Sequence, residues 1–309
     1  PTPIEEEEEE RISLFLHACI SRRSLEHGRK LQLHLLRSKN RVLENPTLKA
    51  KLITLYSVCG RVNEARRVFR TGDQNTPEEP VWVAMAIGYS RNGFSHEALL
   101  LYRDMLSRCV KPGNFAFSIA LKACSDSGNA LVGRAIHAQI VKHDVGEADQ
   151  VVNNALLGLY VEIGCFDEVL KLFQAMPQRI VVSWNTLIAG FTGQGRMFET
   201  LAAFRVMQRE GMGFSWITLT TLLPVCAQIT VLLSGKEVHW QILKSRKNAD
   251  VPLLNSLMDM YAKCGEIGYC EKVFDRMHSK DLTSWNTMLA GYSINGQIYE
   301  ALGLFDEMI

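Results

Sequence analysis

The chain has 309 residues, of which 47% are hydrophobic and 22% charged, and its formal net charge is +1 at pH 7. The apolar share excludes a disordered or collagen-like chain. The charge balance alone indicates neither a polyanion-binding protein nor one that seeks acidic partners. However, residues 5–10 are all glutamate, so the rest of the chain has a modest positive excess that permits contact with phosphates.

The chain starts with PTPIEEEEEERISLF, which we interpret as an acidic N-terminal tail over residues 1–8. It has neither the apolar core of a signal peptide nor the basic, acid-poor composition of an organellar transit peptide. Farther along, residues 211–235 contain no charged side chain, but Pro224 and several threonines lie among them. This composition favours a buried helix pair over a transmembrane span. We therefore expect no membrane association.

Eight cysteines are spread along the chain, and no two of them form a CxxC pair. A chain of this length can bury a core without disulfides, and structural zinc sites usually need closely spaced ligand pairs. The pattern favours reduced, mostly buried thiols and predicts no metal or other cofactor.

Three series of sequence copies are interleaved along the chain. VSWNTLIAGFTGQG at 182–195 recurs as TSWNTMLAGYSING at 283–296, with a looser copy at 80–93. The segment 153–177 returns at 254–278, and 121–142 returns at 223–244 with a weaker copy at 16–37. A shared spacing of 101 or 102 residues between the later copies indicates an internal repeat of three units.

This spacing divides the chain into nine units of two predicted helices each. The borders are 9–45, 46–78, 79–113, 114–149, 150–180, 181–215, 216–250, 251–281 and the shortened 282–309. In 181–215, for example, Trp184, Leu187, Ile188 and Phe191 follow helical spacing before Gly195 interrupts the pattern. A single hairpin cannot bury such a stripe, so the units must stack into an all-α solenoid.

The units resemble pentatricopeptide repeats of the plant PLS class, in which long (L), short (S) and standard (P) forms rotate. KAC with GRAIH (122–137) and PVC with GKEVH (224–239) mark L units, ALLGLYVEIG and SLMDMYAKCG mark S units, and SWNTLIAGF and SWNTMLAGY mark P units. The nine units accordingly follow the order L, S, P three times, and the last P unit is truncated. Tetratricopeptide repeats have a constant period of about 34 residues, which does not explain these alternating lengths. The resemblance covers 9–309 and implies a right-handed superhelical solenoid of helix-turn-helix repeats.

An asparagine recurs at the fifth position of four units: Asn154, Asn185, Asn255 and Asn286. An amide offers a donor and an acceptor together, as reading a base edge requires. The alternative is a solvated or helix-capping asparagine, but the recurrence at one register favours a shared role. We expect these side chains to lie on the surface of an inner groove, so that Asn255→Ser would leave stability within about 0.5 kcal/mol.

The resemblance implies that the fifth and last residues of a unit jointly select one RNA base. Asn255 with Asp281 resembles a uracil reader, and Asn185 with Ser215 a cytosine-preferring pair. Asn286, whose partner lies beyond the sequence, and Asn154 with Ile180 are expected to favour a pyrimidine. Three further pairs lie in L units and resemble coding pairs: Ser118 with Asp149, Thr220 with Asp250, and Ser13 with Asn45. Two pairs match no known combination: Val83 with Gly113, and Ala50 with Glu78. The expected RNA site is NNNNYCNUY.

Other recurring residues are interpreted as packing groups. Trp82, Trp184 and Trp285 share one slot, where burial is favoured over base stacking. Recurring cysteines, including Cys124 and Cys226, are read as small apolar groups. His137 and His239 share a further slot and are interpreted as helix-packing histidines rather than ligands.

The chain lacks the HxE and PCxxC signatures of zinc deaminases, as well as P-loop, GxSxG and HExxH motifs. We therefore predict a non-enzymatic binder of single-stranded organellar RNA. Three roles remain open: directing C-to-U editing in a chloroplast or mitochondrion, another step of organellar RNA processing, or service as a protein-binding scaffold. The resemblance also implies docking of organellar editing-factor (MORF/RIP) proteins on the L units 114–149 and 216–250.

Overall fold

The computed structural model describes residues 3–37, 45–71, 78–142, 149–245 and 249–308, with side chains from residue 9 onward. Regular structure in these ranges is entirely α-helical, as the repeat predicts. The helices are α1 (Pro3–Ser21), α2 (Leu25–Arg37), α3 (Pro46–Val58), α4 (Val62–Arg70), α5 (Glu79–Arg91), α6 (Ser95–Ser107), α7 (Asn114–Asp126), α8 (Ala130–Lys142), α9 (Gln150–Glu162), α10 (Phe166–Ala175), α11 (Val181–Gly193), α12 (Met197–Arg209), α13 (Trp216–Gln228), α14 (Leu232–Lys244), α15 (Val251–Lys263), α16 (Ile267–Arg276), α17 (Leu282–Ile294) and α18 (Ile298–Met308).

The chain forms two compact units, Pro1–Gln178 with α1–α10 and Arg179–Ile309 with α11–α18. Within each, consecutive helices pair as antiparallel hairpins, and the first helix of a hairpin also packs on the first helix of the next one. The second helix contacts the following first helix, so every hairpin covers the apolar stripe of its neighbour. First helices and second helices thus form two layers in each compact unit.

The last residue of each complete repeat is the N-cap of the next first helix. These residues are Asn45, Glu78, Gly113, Asp149, Ile180, Ser215, Asp250 and Asp281. An N-cap side chain can accept hydrogen bonds from backbone N–H groups that the helix leaves unpaired. The side chains of Asn45, Asp149, Ser215, Asp250 and Asp281 accept such bonds, so these residues also stabilise the start of a helix.

The N-terminal segment differs from the prediction of an acidic tail over 1–8, since α1 begins at Pro3. Glutamate is a good helix former, proline is favoured in the first helical turn, and negative charge near a helix N-terminus interacts favourably with its dipole. The glutamate run therefore continues the first helix toward the N-terminus.

The uncharged segment 211–235 forms α13 and the beginning of α14, as the prediction of a helix pair requires. Leu219, Leu222, Leu223 and Cys226 of α13 are buried. No helix in the described ranges has the length and hydropathy needed to cross a membrane.

The turns inside the hairpins use left-handed backbone conformations. Glycine provides them in most hairpins, for example at Gly128 with φ of 65°, but Thr230 occupies the equivalent position with φ of 52°. A β-branched side chain is strained in this region because its Cβ approaches backbone oxygen.

We expect Thr230→Gly to raise the free energy of unfolding by about 1 kcal/mol, since relief of the strain exceeds the entropy that glycine adds to the unfolded chain. Urea denaturation measures the change. Gly195→Thr, which introduces the same strain at a glycine with φ of 71°, is the matched control and should destabilise. An unchanged or lower midpoint for Thr230→Gly would contradict the expectation.

Candidate functional site

The first-helix layer carries the fifth residues of the repeats. In the first compact unit, α5, α7 and α9 line a groove of about 460 Å³. Asn154 and Ser118 lie in this groove together with two cationic side chains, Arg91 and Lys122. The groove thus combines polar groups of the fifth position with positive charge.

Asn185 and Ser215 are brought together as the sequence pairing predicted. The Asn185 Nδ2 donates to Ser215 Oγ at 2.9 Å, and Ser215 Oγ in turn accepts from the backbone N–H of Thr218 at 3.2 Å. Thr218 Oγ1 donates to Asn185 Oδ1 at 2.6 Å. The amide is therefore fixed at both ends by hydroxyl groups at the start of α13.

Asn255 and Asp281 are also joined, by a hydrogen bond of 3.2 Å from Asn255 Nδ2 to Asp281 Oδ1. Asp281 caps α17 by accepting from the backbone N–H of Ser284 at 2.8 Å and from its hydroxyl at 2.9 Å. These two bonds, first the backbone one, lower the pKa of the Asp281 carboxyl. The carboxylate is therefore ionised at neutral pH and acts only as an acceptor.

The expectation that Asn255 is a surface position is wrong, because only 8% of this residue is exposed. Its Oδ1 is buried and has no hydrogen-bond partner among the described residues. Helix α15 packs against both α13 and α17, which the apolar periodicity of one helix does not reveal. Replacing Asn255 by Ser is thus a substitution at a buried site, where shortening a paired side chain costs about 1–3 kcal/mol.

The two remaining asparagines have different surroundings. Asn154 is half-buried in the first compact unit, whereas Ile180 belongs to the second. Asn286 is exposed on α17. The P-unit residue Val83 is half-buried on α5, and so is Ala50 on α3.

In two of the three L units the last residue contacts the first residue of its own repeat. Asn114 Nδ2 donates to Asp149 Oδ2, and Asn45 Nδ2 donates to Glu9 Oε2 at 2.7 Å. The P unit 79–113 has the same arrangement, since the Gly113 N–H donates to Glu79 Oε1 at 2.6 Å. A fifth-to-last pairing is therefore not the general contact of these repeats.

The fifth residues of the L units bond elsewhere. Ser118 Oγ donates to the Phe115 carbonyl at 3.0 Å, and Thr220 Oγ1 donates to the Trp216 carbonyl at 3.0 Å. In both bonds the hydroxyl donates to a backbone carbonyl of its own helix. In the first L unit, the fifth residue Ser13 accepts through Oγ from Lys51 Nζ. The last residue of the third L unit, Asp250, caps α15 by accepting from the Leu253 N–H at 3.1 Å.

Sequence reasoning missed exposed apolar side chains at the second position of four repeats, two in each compact unit. Phe115, Val151, Val182 and Ile217 are all exposed, although each begins a helix whose other apolar residues are largely buried. An apolar residue that recurs one step outside the buried stripe is the signal that could have found them. They add exposed apolar surface to the first-helix layer of each compact unit.

The packing interpretation of the tryptophans is confirmed for Trp82 and Trp184, which are each 2% exposed. Trp82 meets Phe69 of the preceding repeat edge to face, with ring centroids 5.0 Å apart. Trp285, in the last unit, is half-buried and contacts Phe274 in the same way at 5.1 Å.

The recurring cysteines are also packing groups. All eight thiols are free, and Cys124 and Cys226 are fully buried. Burial raises the pKa of the Cys124 thiol to about 11 and that of Cys226 to about 12, so neither is a reactive thiolate at neutral pH. The described residues contain no cluster of three or more His, Cys, Asp or Glu side chains suited to a metal ion.

The two recurring histidines join L units to S units. His137 Nδ1 lies 2.8 Å from the Tyr160 hydroxyl, and His239 Nδ1 lies 2.8 Å from the Tyr261 hydroxyl. In the first L unit Gln32 stands at this position and its Oε1 accepts from Tyr56. The histidines therefore pack helices, as predicted, with a tyrosine as their partner.

Burial, with a smaller contribution from Arg276, lowers the pKa of His239 below 6.5. A histidine kept neutral by the fold contributes stability above its unfolded pKa, and this contribution is lost as pH falls through the folded value. We expect His239→Gln, which keeps an acceptor for Tyr261, to reduce the fall in Tm between about pH 7.5 and about pH 5. An equal fall in the wild type and the variant would contradict this expectation. His278→Gln, at an exposed histidine, is the control.

The second helices of two L units expose apolar side chains at matching positions. Leu131 and Val141 of α8 correspond to Leu233 and Leu243 of α14, and all four are at least 63% exposed. Trp240 of α14 is exposed between the last two. This surface lies on the second-helix layer, separate from the fifth residues.

Comparison with known proteins gives a consistent result. A family model described as PPR repeat matches residues 80–110, 154–180, 182–212, 253–282 and 283–309. Among Arabidopsis thaliana proteins, pentatricopeptide repeat-containing protein At3g14330 is 54% identical over 296 residues, which are 96% of this chain and 41% of that protein. The chloroplastic protein CRR2 is 33% identical over 96% of this chain and 45% of its own length.

A mitochondrial relative from the same plant, the putative protein At3g13770, is 34% identical over 94% of this chain and 46% of that protein. The chain thus spans less than half the length of these relatives. Among solved structures, the pentatricopeptide repeat protein PPR10 in complex with an 18-nt psaJ RNA element superposes with a TM-score of 0.70. It shares 19% sequence identity, and the match covers 92% of this chain and 42% of PPR10. This likeness confirms the fold, an all-α solenoid of helical repeats.

Proposed function

Since this chain belongs to the pentatricopeptide repeat (PPR) family, we propose that it binds single-stranded RNA along its first-helix layer, with one base for each repeat. The observation that carries the proposal is the repeated contact between a fifth-position asparagine and the last residue of its unit. It occurs at 2.9 Å for Asn185 with Ser215 and at 3.2 Å for Asn255 with Asp281. The RNA bound to the related fold of PPR10 supports the same ligand class.

Three kinds of groups on this layer suit a strand with unstacked bases. Amides and their partners offer donors and acceptors for base edges. The exposed apolar residues at the second position, such as Val182 and Ile217, offer surfaces for base faces. Arg91 and Lys122 in the groove of the first compact unit can neutralise phosphates.

The expected RNA sequence is NNNNYCNUY, read with the 5′ end at the N-terminal repeats. Asn185 with Ser215 contributes the cytosine at the sixth nucleotide, and Asn255 with Asp281 contributes the uracil at the eighth. Asn154 and Asn286 contribute the flanking pyrimidine preferences. The L units contribute little specificity in this proposal, because Ser118 and Thr220 bond to their own helices.

The wider role that we propose is site selection for C-to-U editing in a chloroplast or mitochondrion. The rotation of L, S and P units supports it, and relatives named as chloroplastic and mitochondrial support an organelle. The chemistry would come from another protein or from further sequence. Stabilisation, splicing or cleavage of an organellar transcript is the alternative use of the same RNA site.

Editing-factor proteins are the proposed partners of the L units. The exposed apolar side chains of α8 and α14, among them Leu233, Trp240 and Leu243, support a protein contact on the second-helix layer. Leu233→Glu with Leu243→Glu should abolish capture of such a protein and leave RNA binding unchanged. Retained capture by this variant would contradict the assignment.

Filter binding of NNNNYCNUY and of a scrambled oligonucleotide, at two salt concentrations, tests the proposed function. We expect the matched RNA to bind about tenfold or more tightly than the scrambled one at both concentrations. Affinity for both should fall as salt rises, because phosphate contacts release counterions. Equal affinity for the two oligonucleotides would instead favour the protein-binding scaffold.

A further inference from the structure

We propose that Thr218, the third residue of the repeat that follows 181–215, determines which base Asn185 accepts. The inference rests on the proposed function, since it concerns how the same amide reads RNA. Thr218 is 1% exposed, so it is a positioning residue that acts through Asn185. Thr218 is neither the fifth residue, Asn185, nor the last residue, Ser215, of the repeat whose base it affects.

The hydroxyl of Thr218 occupies the acceptor end of the Asn185 amide. Thr218 Oγ1 donates to Asn185 Oδ1 at 2.6 Å and accepts from the Ser215 backbone N–H at 3.2 Å. The Nδ2 of Asn185 uses one of its hydrogens on Ser215 Oγ, at 2.9 Å. The second Nδ2 hydrogen is then the group that the amide offers to a base.

In the repeat 251–281 the amide Nδ2 also faces the last residue, but no hydroxyl binds the acceptor end. Its counterpart of Thr218 is Ser284, whose hydroxyl donates to Asp281 Oδ1 at 2.9 Å rather than to the asparagine. Because the carboxylate of Asp281 cannot donate, it accepts a hydrogen bond from Asn255 Nδ2. The buried Oδ1 of Asn255 is left without a partner among the described residues.

The arrangement at Asn185 distinguishes the two pyrimidines. The N3 atom of cytosine is an acceptor, which fits the Nδ2 hydrogen that Asn185 offers. The N3–H of uracil is a donor, so it meets a donor at Asn185. A buried polar group without a partner is costly, so each mismatch disfavours the wrong base. The third-position hydroxyl therefore holds the acceptor end of the amide at Asn185, whereas in the repeat 251–281 it binds Asp281 instead.

Thr218→Val tests this inference, because valine keeps the shape of threonine and removes only the hydroxyl. Affinities are measured for NNNNYCNUY and for the same RNA with uracil at the sixth nucleotide. We expect the ratio of cytosine to uracil affinity to fall about tenfold, since Asn185 Oδ1 becomes available to uracil N3–H. Measuring both oligonucleotides on one protein preparation cancels any loss of active protein.

Thr218→Ser keeps the hydroxyl and should keep the wild-type ratio. Ser284→Ala is the control at the matching position of α17. It should leave the uracil preference at the eighth nucleotide unchanged, because the Ser284 backbone N–H still binds Asp281 at 2.8 Å. Thr218→Ala removes the same hydroxyl without adding bulk and replaces Thr218→Val if a thermal melt shows that the valine variant is unfolded.

A wild-type ratio that persists in the folded valine or alanine variant overturns the role of Thr218. A ratio that falls equally in Thr218→Ser also overturns it, since the hydroxyl would then be irrelevant. A wild-type protein that binds matched and scrambled RNA equally would instead overturn the proposed function.

Discussion

Replacing Trp184 by alanine is expected to lower the free energy of unfolding by about 3–5 kcal/mol. The residue is 2% exposed in the first turn of α11, where it contributes one of the largest buried side chains of the second compact unit. Removing the indole leaves a cavity that the surrounding helices can fill only in part. Urea denaturation followed by circular dichroism measures the loss.

The chain offers a matched control in the same slot of another P unit. Trp285 is half-buried, and its ring contacts Phe274 at a centroid distance of 5.1 Å. Trp285→Ala should therefore destabilise less than Trp184→Ala, because less apolar surface is lost from the core. Equal losses, or a loss at Trp184 below about 1 kcal/mol, would contradict the assignment of Trp184 as a packing residue.

Replacing Asp281 by alanine is expected to reduce both stability and uracil preference. The carboxylate caps α17 through the Ser284 N–H at 2.8 Å, and losing such a cap costs about 1 kcal/mol. The buried Asn255 amide also loses its acceptor, which adds about 1–3 kcal/mol. The amide is then free to reverse, so affinity for uracil at the eighth nucleotide should fall about tenfold relative to cytosine.

Asp250→Ala separates the two contributions of Asp281. Asp250 caps α15 by accepting from the Leu253 N–H at 3.1 Å, whereas the hydroxyl of its predicted reading partner Thr220 donates to the Trp216 carbonyl. This variant should lose the capping energy without a change in base preference. Equal effects of the two substitutions on stability and on RNA specificity would show that Asp281 acts as a cap alone.

The helical hairpins could be predicted because they depend on local patterns. Each predicted last residue lies at a helix N-cap, and the recurring apolar spacing of residues such as Trp184 corresponds to the buried face. Left-handed turns at Gly195 and Gly265 also follow from local sequence, since glycine adopts this conformation without strain.

The side-chain partners of the candidate site could not be predicted as completely. The burial of Asn255 depends on how three helices approach one another, and the contact of Thr218 with Asn185 joins residues 33 positions apart. Within L units the competing contact of Asn114 with Asp149 arises because both residues lie at helix starts. A single sequence shows the register of a repeat. It does not show which of two neighbouring polar side chains lies within hydrogen-bond distance of the last residue of that repeat.

The most direct test is a one-base RNA panel at the eighth nucleotide, measured with the wild-type chain and with Asn255→Ser. The wild type should bind NNNNYCNUY about tenfold more tightly than the RNAs that carry adenine, guanine or cytosine at that nucleotide. In Asn255→Ser the uracil preference should disappear while the preference for cytosine at the sixth nucleotide remains. Equal affinity of the wild type for all four RNAs, or an unchanged uracil preference in the folded variant, would contradict base reading by this repeat.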